Sequence, residues 1–264
     1  MERIENPARD RLAAGELSLG VALRFARTVE VAPAMKAAGY DWLFIDLEHG
    51  TMPLDTVAQI STTSIACGVS PLVRVPKGEY ALAARALDAG ASGIIVPHID
   101  SATEAREAVE RLKFPSLGHR SLGPAPQLQF RSASPNEIMR LLNDSCLIIA
   151  MLESPEAIAE ADAIAAVEGV DIVMIGTNDL CAEMGIPGRY DDPRVVAAYE
   201  AVLAACLKHK KWPGMGGVYD NEVAPRYMAM GFRFVLAGLD LNFMMASATQ
   251  RARFLRNVDA SEAG

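Results

Sequence analysis

Four times along the chain an alanine-rich or apolar stretch with helical character meets a glycine and is followed within a few residues by a short, continuous apolar run. The instances are Ala37-Ala38-Gly39 before Trp42-Leu43-Phe44-Ile45, Ala89-Gly90 before Ile94-Ile95-Val96, Val167-Glu168-Gly169 before Ile172-Val173-Met174-Ile175, and Ala229-Met230-Gly231 before Phe234-Val235-Leu236. Glycine just past a helix end takes the left-handed conformation that closes the last turn at little steric cost. Apolar runs without alternation suit strands covered on both faces, as in parallel sheets. The repeat therefore predicts αβ units in series.

Eight strands are expected, at 18–23, 42–46, 70–75, 93–97, 147–152, 171–176, 212–217 and 232–237. Helical patterns run from Pro53 to Ala66, Tyr80 to Ala89, Ala102 to Lys113, Pro155 to Val167 and Pro193 to His209, with a proline or a capping residue near each start. The stretch from Phe114 to Phe130 is irregular. Eight units in 264 residues match the size of a (β/α)8 TIM barrel, roughly 250 residues. An open doubly wound sheet would want a G-x-G-x-x-G turn after the first strand, which this chain lacks. The expectation is one barrel domain over 1–264, with functional groups at the C-terminal ends of its strands.

A formal net charge of -8 argues against nucleic acid or an anionic membrane as partner. The basic cluster Lys208, His209, Lys210, Lys211 reads as a solvated helix end. Cys67, Cys146, Cys181 and Cys206 form no C-x-x-C pair, the N-terminus has no apolar leader, and no run approaches the length of a membrane span. These features lead us to expect a cytoplasmic protein.

Polar residues gather where the strands should end: Asp46, Glu48 and His49 after the second, Arg74 at the third, Glu153 after the fifth, Asp179 after the sixth. Glu153 and Asp179 are hard oxygen ligands on adjacent strands with no thiolate nearby. They suit an octahedral Mg2+, Mn2+ or Co2+ that keeps waters and accepts substrate oxygens. Such an ion can polarise a 2-oxo group and stabilise the enolate formed beside it, with Arg74 as a second, fixed cation. His49 is the natural acid–base group, since an imidazole exchanges protons near neutrality. His98 also follows a strand, whereas His119 lies in the long loop and His209 ends a helix.

Asp88 falls in the last turn of a helix, where the helix dipole disfavours an anion. It is either a tolerated surface aspartate or the partner of a cation, such as an imidazolium at His49. A Schiff-base aldolase needs a buried lysine on a barrel strand. Lys36, Lys77, Lys113, Lys208, Lys210 and Lys211 all fall elsewhere, which favours a metal route.

The segments Phe44-Ile45-Asp46-Leu47-Glu48-His49-Gly50, Pro71-Leu72-Val73-Arg74, Leu87-Asp88-Ala89-Gly90, Leu152-Glu153-Ser154 and Ile175-Gly176-Thr177-Asn178-Asp179-Leu180 resemble the HpcH/HpaI family, that of 4-hydroxy-2-oxoheptanedioate aldolase. The likeness runs from about residue 15 to 245 in the same order. It implies a TIM barrel assembled as a homohexamer of dimers that swap a C-terminal helix. It also implies reversible, metal-dependent aldol cleavage of a 2-oxo acid substrate to pyruvate, or hydroxypyruvate, and an aldehyde. By the same resemblance His49 accepts the proton, Asp88 raises its basicity, Arg74 stabilises the transition state, and Glu153 with Asp179 holds the metal. The substrate carboxylate would lie against the backbone around Asn178 and Asp179.

Where well-known members carry a glutamine and a Gly-Pro-Ala-Asp turn, this chain has Met151 and Gly176-Thr177-Asn178-Asp179. Strand alternation points Met151 to the same side as Glu153, so a polar contact toward the 2-oxo acid is either missing or supplied by Thr177 or Asn178. Three rival readings remain. A CoA-thioester lyase related to citrate lyase would need a basic groove that is not evident in the sequence. A phosphate-handling barrel is suggested by Gly214, Gly216, Gly217 and Gly238, and the last rival is a barrel that binds without turnover.

Overall fold

The computed structural model describes residues 3–262. In chain order the elements are α1 (Pro7–Ala13), β1 (Ser18–Leu23), α2 (Val31–Ala37), β2 (Trp42–Asp46), α3 (Leu54–Ala66), β3 (Ser70–Arg74), α4 (Tyr80–Asp88), β4 (Gly93–Val96), α5 (Ala102–Leu112), α6 (Pro135–Ser145), β5 (Leu147–Leu152), α7 (Pro155–Ala159), α8 (Ala161–Ala165), β6 (Ile172–Gly176), α9 (Thr177–Glu183), α10 (Pro193–His209), β7 (Trp212–Gly216), α11 (Ala224–Met230), β8 (Phe234–Leu239) and α12 (Asp240–Glu262). The eight strands are parallel and close into a barrel in sequence order, β8 pairing back onto β1. This is the expected (β/α)8 architecture.

The apolar runs that predicted strands divide by parity between two cores. Phe44, Leu72, Ile95, Ile149, Met151, Met174 and Leu236 fill the barrel interior, while their neighbours Leu43, Val73, Ile94, Ile148, Val173 and Val235 pack outward beneath the helices. Counting in twos from the interior residues leads directly to the mouth: Phe44 to Asp46, Leu72 to Arg74, Met151 to Glu153.

The floor is sealed. Trp42 and Phe234 stack there with centroids 4.1 Å apart, and Gly20 faces Trp42 because a Cβ at that position would lie 2.2 Å from the indole. Helix α1 covers the opening with Ala8 and Leu12. Asn6 ties it down by donating to the Ser92 and Ser145 carbonyls at 3.1 and 2.8 Å and accepting from Ser70 Oγ at 2.7 Å.

Several boundaries differ from expectation. β8 runs 234–239 rather than 232–237, because Phe232 turns outward against Tyr199 and the ladder to β1 begins only when the Arg233 carbonyl accepts from Ser18 N–H. The pattern from Pro155 to Val167 is two short helices divided at Glu160, whose φ of -90° and ψ of 4° give a turn. The irregular stretch 114–130 contains one 3-10 turn at Pro126–Leu128, and α6 follows it. Among the described residues no helix is long and apolar enough to cross a membrane.

Candidate active site

At the C-terminal end of the strands lies a cavity of about 180 Å3, lined by Arg24, Phe44, His49, Arg74, Met151, Glu153, Gly176, Thr177, Asn178, Asp179 and Tyr219 among others. All but one of the residues expected at the site therefore meet here, on loops and strand ends contributed by different αβ units.

One wall is an ion-pair cluster. Asp46 is fully buried and accepts from Arg74 Nε at 3.0 Å and Nη2 at 2.8 Å, a bidentate pair. It also accepts the backbone N–H groups of Glu48 and His49, which shapes the turn carrying the histidine. Burial favours the neutral acid, yet the Arg74 bonds and charge, the His49 N–H and the charge of Arg24 together hold Asp46 below the usual carboxylate range. Arg74 is likewise desolvated, and Asp46, Glu48 and Glu153 more than compensate, holding it above its ordinary value. Its guanidinium lies 5.0 Å from the Phe44 ring centroid.

Glu48 lies between three cations or potential cations. Its Oε2 is 2.9 Å from Arg74 Nη1 and 3.8 Å from His49 Nε2, and its Oε1 is 3.6 Å from His98 Nε2. His49 is half exposed at the rim of the cavity.

The adjoining wall, joined to this cluster through His98, carries the two candidate metal ligands. Glu153 is 2% exposed, and its Oε2 accepts from His98 N–H at 2.9 Å and lies 3.3 Å from His98 Nδ1. Burial pushes its carboxyl up to about 8; the nearby Asp179 carboxyl adds to this, against the opposing effects of the His98 N–H and Arg74. Gly176 makes room for it, since a Cβ there would sit 2.6 Å from Glu153 Cγ and Oε1. Two acidic side chains close enough to act on each other and lining one cavity fit a hydrated divalent cation. Among the described residues no group of three or more His, Cys, Asp or Glu side chains forms a closed cage. A two-carboxylate site with water and substrate completing the shell is the arrangement typical of magnesium-like ions.

Met151 is buried and lines the cavity, on the side that alternation predicts. Of the two polar candidates beside it, Thr177 is turned away: its hydroxyl is buried and bonded to Tyr199 OH at 2.7 Å. Asn178 lines the cavity, and its Oδ1 accepts from Tyr190 OH at 2.7 Å. Of the two, only the Asn178 side chain has a polar group not taken up within the described residues.

Asp88 is the residue that does not join the others. Helix α4 ends immediately before β4 begins, so its last turn is at the floor end of the barrel, away from the mouth. The partner that its helix-end placement demanded is Arg120, whose Nη2 lies 2.7 Å from Asp88 Oδ1. The pair lines a hollow of about 600 Å3 on the outer ring with Tyr80 and His119. No contact between Asp88 and His49 is made within one chain.

The glycines near β7 and β8 are accounted for by close packing. A Cβ on Gly216 would lie 2.6 Å from Met174 Cε, one on Gly214 2.9 Å from Phe234, and one on Gly238 2.3 Å from Phe243. No lysine lines the cavity, in keeping with the sequence reading. Lys113 is buried but donates to the Asn143 and Cys146 carbonyls. Arg24, by contrast, lines the mouth and was missed in the sequence. It is the next inward step after Ala22 on β1, and continuing that count past the strand end would have found it.

A family model described as HpcH/HpaI aldolase/citrate lyase matches residues 26–246. The chain is 37% identical over 257 residues to a 4-hydroxy-4-methyl-2-oxoglutarate aldolase of Hapsidospora irregularis, covering 96% of this chain and 95% of that protein. It is 33% identical over 260 residues to a hydroxypyruvate/pyruvate aldolase of Agrobacterium fabrum, covering 98% and 94%. The crystal structure of an HpcH/HpaI aldolase from Desulfitobacterium hafniense matches with a TM-score of 0.87 at 29% identity, over 95% of each chain. Fold, order of motifs and sequence likeness agree, and the chain belongs to the HpcH/HpaI aldolase/citrate lyase family as a carbon–carbon lyase of the aldolase kind.

Proposed function

We propose that the chain catalyses reversible aldol cleavage and addition between a 2-oxo acid donor, pyruvate or hydroxypyruvate, and a carbonyl acceptor, with Glu153 and Asp179 holding a divalent cation. The observation that carries this reading is the meeting of those two carboxyls on the lining of one cavity, close enough that Asp179 acts directly on Glu153. The relatives, a 4-hydroxy-4-methyl-2-oxoglutarate aldolase and a hydroxypyruvate/pyruvate aldolase, support the donor class. A Mg2+, Mn2+ or Co2+ ion bound there supplies Lewis-acid polarisation of the 2-oxo group.

The chain's own residues do the rest. Arg74 faces the cavity as a permanently charged group held rigid by Asp46 and Glu48, so it meets negative charge developing on the donor oxygen without reorganising. His49, at the rim beside it, removes the proton from the substrate hydroxyl in cleavage and returns it in addition. Met151 gives the donor an apolar wall, and the donor carboxylate lies against the backbone around Asn178 and Asp179, with the free Asn178 amide beside it. Asp88 and His49 are at opposite ends of one barrel, so the role the resemblance implies for Asp88, raising the basicity of His49, would need a second copy of the chain. The four cysteines are free, which supports a reducing compartment such as the cytoplasm.

The test is pyruvate release from a 4-hydroxy-2-oxo acid, coupled to lactate dehydrogenase, with Mn2+ binding measured by calorimetry. Glu153→Ala and Asp179→Ala are expected to lose both cation binding and activity. His49→Ala keeps the cation and loses rate by roughly 100- to 10,000-fold. Full activity after exhaustive chelation would contradict the reading.

A further inference from the structure

We propose that Arg24 forms a carboxylate subsite on the acceptor side of the cavity, so that the enzyme favours carbonyl acceptors that are themselves short oxo acids; the inference rests on the aldol reading above. Two guanidinium groups face the cavity, and they are not equivalent. Arg74 is held by Asp46 through Nε and Nη2, and its Nη1 lies 2.9 Å from Glu48. Arg24 makes one ion pair among the described residues, Nε to Asp46 Oδ2 at 3.3 Å, on a carboxylate that already accepts both Arg74 bonds. Its two Nη groups are left for a ligand. A planar guanidinium presents paired donors at the spacing of carboxylate oxygens.

The position is built rather than incidental. Asp240, at the start of α12, accepts the backbone N–H groups of Arg24, Phe25 and Ala26 at 3.1, 3.0 and 2.6 Å. That fixes the segment after β1 while the Arg24 side chain stays 43% exposed at the mouth. In a closed ring of eight, β1 is diametrically opposite β5, the strand that leads to Glu153. A donor anchored on the β5 and β6 side must therefore extend its new bond across the mouth. Leu236, Leu239 and Ala22 line that side as an apolar passage, and Arg24 stands at its rim. A single cationic fork matches a monoanionic carboxylate better than a phosphate dianion.

Wild type, Arg24→Gln and Arg24→Lys would be assayed with Mn2+ and pyruvate as donor. Acceptors are compared in matched pairs: glyoxylate with acetaldehyde, and succinic semialdehyde with butanal. The readout is the ratio of kcat/KM for the charged to the neutral member. Wild type is expected to favour the charged acceptors, Arg24→Gln to lower the ratio roughly ten- to a hundred-fold, and Arg24→Lys to fall between. If Arg24 only props Asp46 and Arg74, both members of a pair decline together and the unchanged ratio overturns the assignment. Deuterium exchange at C3 of pyruvate, followed in wild type without acceptor, separates the two levels. Exchange with an unchanged ratio sinks the Arg24 subsite alone, while absence of exchange sinks the aldol reading and the subsite with it.

Discussion

Asp46 has no exposed side-chain surface and remains an anion because Arg74 grips it with two bonds while Arg24 and two backbone N–H groups add to the field. Its folded pKa lies below the unfolded value of about 3.9. The stability it contributes is therefore present above about pH 4 and lost as the pH falls through the folded value. Asp46→Asn leaves Arg74 buried against a neutral partner, and a destabilisation of about 3 kcal/mol is expected at pH 7. Urea midpoints measured from pH 2 to 7 should show wild type and variant converging in acid; curves that stay parallel would refute the account. Asp46, Arg74 and Glu153 were legible in the sequence because each continues an inward row of its strand by one step, whereas Asp179 lies in the first turn of α9. Two things were not. The partner of Asp88 is 32 residues away in a loop without periodicity, and the burial of the Thr177 hydroxyl depends on Tyr199 from a different helix.

The elements were legible wherever a glycine marks the junction between helix and strand, as at Gly39, Gly90, Gly169 and Gly231, all of which take positive φ. They were less so where the ladder is decided by pairing rather than by composition, as in the two-residue displacement of β8. The turn from β6 into α9 shows how an element end builds the site. Its Gly176 is required by the approach of Glu153 rather than by backbone conformation. Gly176→Ala is expected to drive the Glu153 carboxyl from its place, weakening Mn2+ affinity roughly 10- to 100-fold in a calorimetric titration, with a stability loss of about 1–3 kcal/mol. Unaltered affinity would show that Glu153 does not hold the ion.

For the whole molecule the open question in the sequence was the fate of its last segment. Helix α12 leaves Leu241, Phe243, Met244, Met245, Phe254 and Leu255 each 38–56% exposed, a concentration of apolar side chains on one element. The hexamer implied by the family resemblance would cover them. Sedimentation velocity should return a multiple of the chain mass, and the double substitution Phe254→Ser, Leu255→Ser should shift it to smaller species. A wild-type monomer at micromolar concentration would contradict this.

The plugged floor of the barrel has a kinetic corollary. With Asn6 and helix α1 closing one end, and Trp42 stacked on Phe234 behind them, traffic reaches the site from the mouth end. Glu153 sits at the back of that vestibule and Arg24 at its threshold. The keto acid must therefore enter before its companion and depart after it, a last-in, first-out queue. Product inhibition of cleavage should accordingly be competitive for pyruvate and noncompetitive for the aldehyde, and the reverse pattern would mean that the order is imposed elsewhere.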